Sequence, residues 1–370
     1  MGLTSHKVLA LAALLAVVLF AATIWLWPRL ARRSGRAVAG RIGLFLATQV
    51  AVFATVGLLA NNSFLFYGSW ADLFGQEQTP GVVVDHDAGS RDVRVVKRTG
   101  LDVPGGTKPA VAGQIQKVVI QGRTSKIASS AYVYLPPQYF QQAYMKRTFP
   151  AAVVLTGYPG TAENLIHGLH YPRTEFDQLK AGKMRPMVLV MLRPTVAPPR
   201  DTECVDIKGG PQSEAFFAKD LPGAVRAAYR VGPGPRNWGS IGDSTGGYCA
   251  LKLAVHHPGV YGAGAGLSAY YRAAEDPTTG DLFQGDHLER HRADLLWSLD
   301  HRPAPATSLL VTTSRKGEGN YRSTMRFIDK VKPPTRLSSI TLTSGGHNFN
   351  TWRREIPAGM EWLSGRLTGR

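Results

Sequence analysis

Apolar residues form two long uninterrupted runs near the start of the chain, at residues 8–27 and 42–60, and neither run contains a charged side chain. A helix needs about 20 such residues to cross the hydrocarbon core of a bilayer. The first run exceeds the apolar core of a cleaved signal peptide, and Trp25, Trp27 and Arg29 stand where small cleavage-site residues are expected. The pattern therefore predicts a membrane anchor with two spanning helices in residues 1–70.

The connector between these runs, residues 28–41, contains five arginines and no acidic residue. Positively charged loops remain on the cytoplasmic side of a membrane. Two spans then return the chain to the outer face, so everything after about residue 70 is expected to be extracytoplasmic.

Residues 71–113 mix Pro, Gly and charge without sustained periodicity, which predicts an extracytoplasmic tether with one short strand at 81–84. From residue 114 the pattern changes. Alternating β-branched runs at 114–121 and 129–135 predict an antiparallel hairpin.

Short apolar runs then alternate with longer helix-capable segments over the rest of the chain. The predicted strands are 151–155, 187–192, 238–242, 262–267, 308–312 and 339–343. This alternation predicts an α/β domain over 114–370, with a mostly parallel, doubly wound sheet covered by helices on both faces. In such sheets, functional residues collect on loops at the carboxyl ends of the strands.

The clearest local motif is Gly-Asp-Ser-Thr-Gly-Gly at 242–247, between the apolar run 238–241 and the helical stretch 248–256. A serine between two glycines in a strand–turn–helix setting is typical of a nucleophile held on a tight turn. An ordinary turn between strand and helix is the alternative. The motif makes Ser244 the candidate nucleophile.

A serine nucleophile needs a general base and an acid that orients it. His347 lies in the loop after the last predicted strand, whereas His167 and His170 follow the first parallel strand and are weaker candidates. Glu318 is the acidic residue of the loop after strand 308–312, and a surface ion pair with Arg315 or Lys316 is its alternative role. The fallback acids are Asp281 and Asp286.

An oxyanion hole would complete the site with two backbone N–H groups. One is expected from Thr245, directly after the nucleophile. The other is expected from the loop 156–160, where Tyr158 is preferred and Gly157 is the alternative.

An acidic cluster, residues 201–206, follows strand 187–192 at the same edge of the sheet. Asp201 and Glu203 are candidates for binding a cationic substrate group such as the ammonium of an aminoacyl ester. A surface loop balanced by neighbouring basic residues is the alternative. Cys204 lies in this loop and Cys249 follows the nucleophile, so these cysteines form either a disulfide or two buried thiols.

Several of these segments together resemble the esterase family of α/β-hydrolases, which includes the S-formylglutathione hydrolases (esterase D) and the actinobacterial mycolyltransferases. The matching segments are 132–136, 153–157, the motif at 242–247, His257-Pro258, Leu267-Ser268 and Gly346-His347. The resemblance covers roughly 250 residues. It implies an α/β-hydrolase fold and a Ser–His–acid hydrolase or acyltransferase.

Charge and composition narrow the choice of partners. The chain has a formal net charge of +17, of which the first 70 residues contribute six basic side chains and no acid. The remaining basic residues are dispersed, which favours an anionic membrane surface over nucleic acid as the partner. Two cysteines exclude a cysteine-ligated zinc module, and no metal or cofactor is predicted.

These observations predict a membrane-tethered serine esterase acting on carboxylic esters or thioesters, with envelope lipid or aminoacyl-lipid esters as substrates. One alternative is an acyltransferase of the mycolyltransferase type, which moves an acyl group to an envelope sugar or lipid. The alternative from another class is a non-catalytic envelope-binding module.

Overall fold

The computed structural model describes residues 3, 5–31, 34–64, 70–73, 92–198 and 200–369. The chain divides into two compact units, Met1–Val83 and Val84–Arg370. Each unit is described by itself below.

The first unit consists of α1 (His6–Leu26), α2 (Gly35–Phe64) and the short α3 (Trp70–Leu73). Both long helices are long and apolar enough to cross a membrane. The predicted span 8–27 ends one residue beyond α1, and the predicted span 42–60 lies within α2. The Thr23 and Thr48 hydroxyl groups lie 3.0 Å apart and join α1 to α2 by a hydrogen bond. Most large apolar side chains of these helices point outward, as expected of a surface that faces lipid.

The second unit is built on one nine-stranded sheet. Its strands are β1 (Val93–Gly100), β2 (Gln114–Gln121), β3 (Ala128–Leu135), β4 (Ala151–Leu155), β5 (Val188–Leu192), β6 (Trp238–Asp243), β7 (Ala263–Leu267), β8 (Ser308–Ser314) and β9 (Arg336–Leu342). The strand order is β1-β2-β3-β5-β4-β6-β7-β8-β9. The neighbouring strands β1 and β2, β2 and β3, and β3 and β5 pair antiparallel. The remaining neighbours pair parallel.

Helices lie between the strands and after the last strand. They are α4 (Pro109–Ala112), α5 (Ala162–His167), α6 (Tyr171–Lys180), α7 (Ser213–Ala215), α8 (Leu221–Ala228), α9 (Thr245–His256), α10 (His287–Arg292), α11 (Leu295–His301), α12 (Tyr321–Lys330) and α13 (Phe349–Arg366), with a π-helical segment, Phe216–Asp220, between α7 and α8. The predicted α/β fold with a mostly parallel sheet is thus confirmed.

The four central strands, β4 to β7, are buried at every residue. Parallel strands covered on both faces consist of nearly continuous apolar residues, which is why the apolar runs located them in the sequence. Their carboxyl ends meet at one edge of the sheet, where the loops after β4, β6, β8 and β9 carry the predicted site residues.

The folded domain begins earlier than predicted. Residues 93–100, assigned from the sequence to a tether over 71–113, form β1 and pair with β2. This strand has no apolar alternation in the sequence, because Val93 is its one buried residue and Lys97 and Arg98 are exposed, as is common at a sheet edge. The short strand predicted at 81–84 lies outside the described residues.

Candidate active site

Ser244 occupies the tight turn between β6 and α9. Its backbone has φ 52° and ψ −121°, a conformation that costs free energy for any residue with a side chain. Gly246 permits the turn, because a Cβ atom there would collide with the backbone of Leu155 and Thr156 at the end of β4. The turn therefore presents the serine hydroxyl at the carboxyl edge of the sheet, at the amino end of a 12-residue helix.

His347 is brought to this serine by the loop that follows β9. Its Nε2 lies 2.8 Å from the Ser244 Oγ, within hydrogen-bond distance. The imidazole packs nearly perpendicular to the Trp352 ring, with the ring centres 5.1 Å apart, and the Trp352 indole N–H donates to the Ser268 hydroxyl. The imidazole is therefore supported from α13 while half of its side chain stays exposed to solvent.

Glu318 lies on the other side of the imidazole. Its Oε1 is 3.7 Å from the His347 Nδ1, an ion-pair distance, and its side chain is 1% exposed. The two loops that carry these residues are joined by a hydrogen bond from the Gly345 N–H to the Lys316 carbonyl. Gly317 adopts φ 94° where the loops touch, and a Cβ atom there would strike Gly345.

The fallback acids lie elsewhere and perform local structural roles. The Asp281 carboxylate accepts N–H bonds from Phe283 and Gln284 in its own turn. The Asp286 carboxylate caps the first turn of α10. The structure therefore brings Glu318, and neither aspartate, to the histidine.

Two of the predicted oxyanion residues, Thr245 and Gly157, lie beside the nucleophile, but the Gly157 N–H is engaged by another residue. The Gly157 N–H donates to the Asp243 Oδ2 over 3.0 Å. A Cβ atom at Gly157 would lie 3.0 Å from the Ser244 Cβ, so this loop packs directly on the nucleophile turn. Asp243 thus engages the Gly157 N–H, and the assignment of Tyr158 as the second donor stays a prediction. Thr245 begins α9 directly after the serine.

Two further buried carboxyl groups interact with residues of the candidate site, Asp243 with His347 and Glu355 with Glu318. Burial raises the pKa of Asp243 to about 7, against the opposing effects of the Gly157 N–H and of His347. Burial also raises the pKa of Glu355 to about 8, and the nearby Glu318 adds to the shift, while the Thr312 hydroxyl donates to the Glu355 Oε2 over 2.8 Å. No local pattern in the sequence distinguishes either residue from an ordinary polar one.

Asp201 and Glu203 are interior residues, 2% and 1% exposed. The Asp201 Oδ1 accepts the Glu203 N–H, and the Glu203 Oε1 accepts the Tyr270 hydroxyl over 2.6 Å. Burial raises the pKa of Asp201 to about 6 and that of Glu203 to about 8. The alternative of an exposed acidic surface loop is therefore wrong, and a role in binding a cationic substrate group stays a prediction.

Cys204 and Cys249 form a disulfide, with their Cα atoms 5.8 Å apart. The bond ties the loop 201–206 to α9, one turn beyond the nucleophile. Of the two possibilities left open by the sequence, the structure contains the disulfide. Among the residues that the structure describes, no group of three or more His, Cys, Asp or Glu side chains is arranged to hold a metal ion.

The far end of α9 carries a separate polar cluster around Glu214. Its carboxylate lies 2.9 Å from the Lys252 Nζ and 2.7 Å from the His257 Nε2, and it also contacts His256 and Arg292. Burial opposes ionisation of Glu214, but Lys252 and the hydrogen bonds from the two histidines hold its pKa well below the ordinary value. These histidines are thus structural partners of Glu214.

A strand–turn–helix serine paired with a histidine at the carboxyl edge of a mostly parallel sheet defines an α/β-hydrolase. The chain belongs to the Putative esterase family, whose model matches residues 126–363. An uncharacterized protein of Corynebacterium glutamicum is 25% identical over 274 residues, and the match covers 69% of this chain and 62% of that protein.

Solved structures share the fold. An S-formylglutathione hydrolase from Agrobacterium tumefaciens aligns with a TM-score of 0.56 at 16% identity, covering 69% of this chain and 96% of that one. A ferulic acid esterase aligns with a TM-score of 0.58 at 13% identity, covering 69% and 99%. The fluorophosphonate-binding serine hydrolase F of Staphylococcus aureus aligns at 0.54 and 14% identity, covering 68% and 98%.

Proposed function

We propose that this protein is a membrane-tethered serine esterase that cleaves carboxylic esters or thioesters through an acyl-enzyme. The observation that carries the proposal is the 2.8 Å contact between the His347 Nε2 and the hydroxyl of Ser244 on its strained turn. Membership of the esterase family supports the same reaction class.

In this mechanism the Ser244 Oγ attacks the carbonyl carbon while the His347 Nε2 takes the hydroxyl proton. The Glu318 carboxylate stabilises the positively charged imidazole that results. The Thr245 and Tyr158 N–H groups bind the oxygen that becomes negatively charged in the tetrahedral intermediate. His347 then returns the proton to the leaving group, and water, activated by the same histidine, releases the acyl group.

The substrates we propose are esters in or near the membrane, such as envelope lipid or aminoacyl-lipid esters. Two helices able to cross a bilayer precede the domain, and residues after 70 contain 37 basic and 26 acidic side chains. A tethered basic domain stays close to anionic headgroups. The arginines between the helices favour an extracytoplasmic domain, and a disulfide suits an oxidising compartment.

The test is turnover by the full-length protein purified in detergent. The wild-type protein should hydrolyse a p-nitrophenyl acyl ester and be labelled by a fluorophosphonate, and Ser244→Ala should abolish both. Ser240→Ala, on the same buried strand but away from the turn, is the matched control and should keep both. An inactive, unlabelled wild-type protein would favour a non-catalytic envelope-binding module.

A mycolyltransferase-type reaction differs only in the acceptor of the acyl group. Incubating the wild-type protein with an envelope-lipid extract, with and without added sugar or lipid alcohols, separates the two outcomes. Free acid as the dominant product supports the esterase, whereas an acylated alcohol that forms faster than the acid would support transfer.

A further inference from the structure

The Tyr270 hydroxyl lies between the loop 201–206 and the nucleophile turn. It is 2.6 Å from the Glu203 Oε1 and 2.9 Å from the Thr245 Oγ1. Tyr270 follows β7, at the same edge of the sheet as Ser244. A single phenol therefore links a buried carboxyl group to the residue that follows the nucleophile.

Glu203 is a fixed end of this link rather than a mobile surface group. Its backbone adopts φ 48°, and its neighbour Cys204 is held to α9 by the disulfide with Cys249. The Lys252 ammonium also donates to the Cys204 carbonyl over 2.7 Å. The carboxyl group is thus anchored covalently and by hydrogen bonds to the helix that begins at Thr245.

The Tyr270 ring is also fixed in place. It stacks on the Tyr248 ring with a centre-to-centre distance of 5.2 Å and an angle of 18° between planes. The Tyr248 hydroxyl in turn donates to the Ala293 carbonyl over 2.6 Å. Because ring and hydroxyl are both held, the phenol presents one defined position to the Thr245 side chain.

We propose that Tyr270 and Glu203 are positioning residues of the esterase: through the Thr245 hydroxyl they hold the first residue of α9 so that its N–H points at the oxyanion. This inference rests on the proposed function. It accounts for an interior carboxyl–phenol–hydroxyl chain that ends next to the nucleophile and that the proton-transfer steps do not use.

Position matters here because an oxyanion donor acts only when it lies about 2.7–3.1 Å from the oxygen that gains charge. A displacement of about 1 Å at a reacting centre can cost roughly 100-fold in rate. The oxyanion forms only in the transition state, so losing the alignment should lower kcat and leave KM nearly unchanged.

The decisive comparison is between Tyr270→Phe and Tyr271→Phe in the full-length protein in detergent. The two tyrosines are adjacent, and the Tyr271 hydroxyl also bonds to a threonine, the Thr324 Oγ1 at 3.0 Å. Tyr270→Phe should lower kcat roughly 10- to 100-fold with KM within about twofold. Tyr271→Phe should keep both constants within about twofold. Equal losses in the two variants would overturn the proposal.

A double-mutant cycle tests the route through Thr245. Thr245→Val removes the hydroxyl, keeps the side-chain shape, and leaves Glu203 and Tyr270 hydrogen-bonded to each other. If Tyr270 acts through this hydroxyl, the variant that combines Tyr270→Phe with Thr245→Val should have a kcat no lower than that of the less active single variant. Multiplicative losses would show that Tyr270 acts by another path and would contradict the proposal.

Glu203→Gln and Glu203→Ala supply the conservative comparison. The glutamine carbonyl can still accept from Tyr270, so this variant should retain most of the kcat that the alanine variant loses. Equal kcat in the wild-type, glutamine and alanine proteins would eliminate Glu203 as a positioning residue. Wild-type turnover is measured first, because its absence would refute the proposed esterase rather than this network.

Discussion

The Gly157 N–H donates to the Asp243 carboxylate over 3.0 Å, which joins the loop after β4 to the residue just before the nucleophile. The partners are 86 residues apart in the chain. This bond holds the loop after β4 against the nucleophile turn, and Tyr158, the second oxyanion donor that we propose, belongs to this loop. Asp243 thus connects the two halves of the proposed oxyanion hole.

The first prediction concerns Asp243→Asn and its dependence on pH. The folded-state pKa of Asp243 is raised by burial to about 7, so below that pH the folded protein retains a proton that the unfolded chain releases near pH 4. Its contribution to stability is therefore complete below about pH 4 and is lost as the pH rises through about 7. The amide that replaces the carboxyl group in this variant cannot ionise and avoids this loss.

We therefore expect the Tm of Asp243→Asn to exceed that of the wild type by more at pH 8 than at pH 5. Each pKa unit corresponds to about 1.4 kcal/mol, so the difference in free energy of unfolding between the two proteins should change by a few kcal/mol over this pH range. Thermal unfolding of both proteins followed by circular dichroism measures it, and Asp281→Asn is the control. A difference that does not vary with pH would refute the assignment.

The second prediction concerns Glu318→Gln. If the Glu318 carboxylate stabilises the positively charged imidazole, this variant should lower kcat by about 10⁴ with little effect on folding. Esterase kinetics and circular dichroism measure the two effects. Asp286→Asn, which keeps an oxygen to cap α10, should be nearly as active as the wild type. Near-normal activity of Glu318→Gln would eliminate this residue as the acid.

The parts of the fold that were predictable from sequence are those with a local physical signature. The fully buried strands β4 to β7 appear as apolar runs, and Ser244 is marked by the glycines its turn requires. The edge strand β1 has no such signature, because solvent faces most of its residues. The last strand was expected at 339–343 and lies at Arg336–Leu342, since it is the partly exposed opposite edge.

The supporting residues of the site have no local signature at all. Tyr270 is separated from Glu203 by 67 positions and from Thr245 by 25, so their hydrogen bonds exist only once the sheet has formed. An acidic loop in a basic domain resembled a surface feature. The loop is held in the interior by the disulfide and by the hydrogen bond from Tyr270. The pattern of apolar residues along the sequence contains no sign of either contact.

The third prediction concerns the disulfide. Closing a loop with a sequence separation of 45 restricts the unfolded chain and should stabilise the fold by about 4 kcal/mol. Cys204→Ser with Cys249→Ser should therefore lower the Tm by several degrees. A reductant should lower the wild-type Tm in the same way and leave that of the double variant unchanged. A double variant as stable as the wild type would contradict this estimate.

The fourth prediction concerns orientation in the membrane. Replacing the five arginines of residues 28–41 by alanine removes the charge bias between the two predicted spans, so more molecules should insert with the domain inside. Protease accessibility of the domain on intact cells measures this fraction. The same change at Arg322 and Arg326, which belong to α12 of the second unit, is the control. A domain protected from protease in the wild type would refute the proposed topology.

The fifth prediction concerns Glu214→Gln, at the end of α9 away from the nucleophile. Lys252 is 2% exposed, and removing the negative charge takes away the carboxylate that pairs with its buried ammonium, which keeps the neutral Cys204 carbonyl as an acceptor. A loss of about 3–5 kcal/mol is typical of a broken buried ion pair. The Tm should therefore fall markedly, whereas Lys330→Met, which breaks a more exposed ion pair with Asp300, should change it little.

The pH dependence of this loss has a definite sign. Lys252 and the histidines hold the pKa of Glu214 well below its ordinary value. The stabilisation is therefore present above about pH 4.5, the pKa of a free glutamate side chain, and is lost as the pH falls from there towards the lower pKa of the folded protein. The Tm difference between wild type and Glu214→Gln should thus shrink as the pH falls below about 4.5. A difference that grows in acid would show that the carboxyl group is protonated in the folded protein.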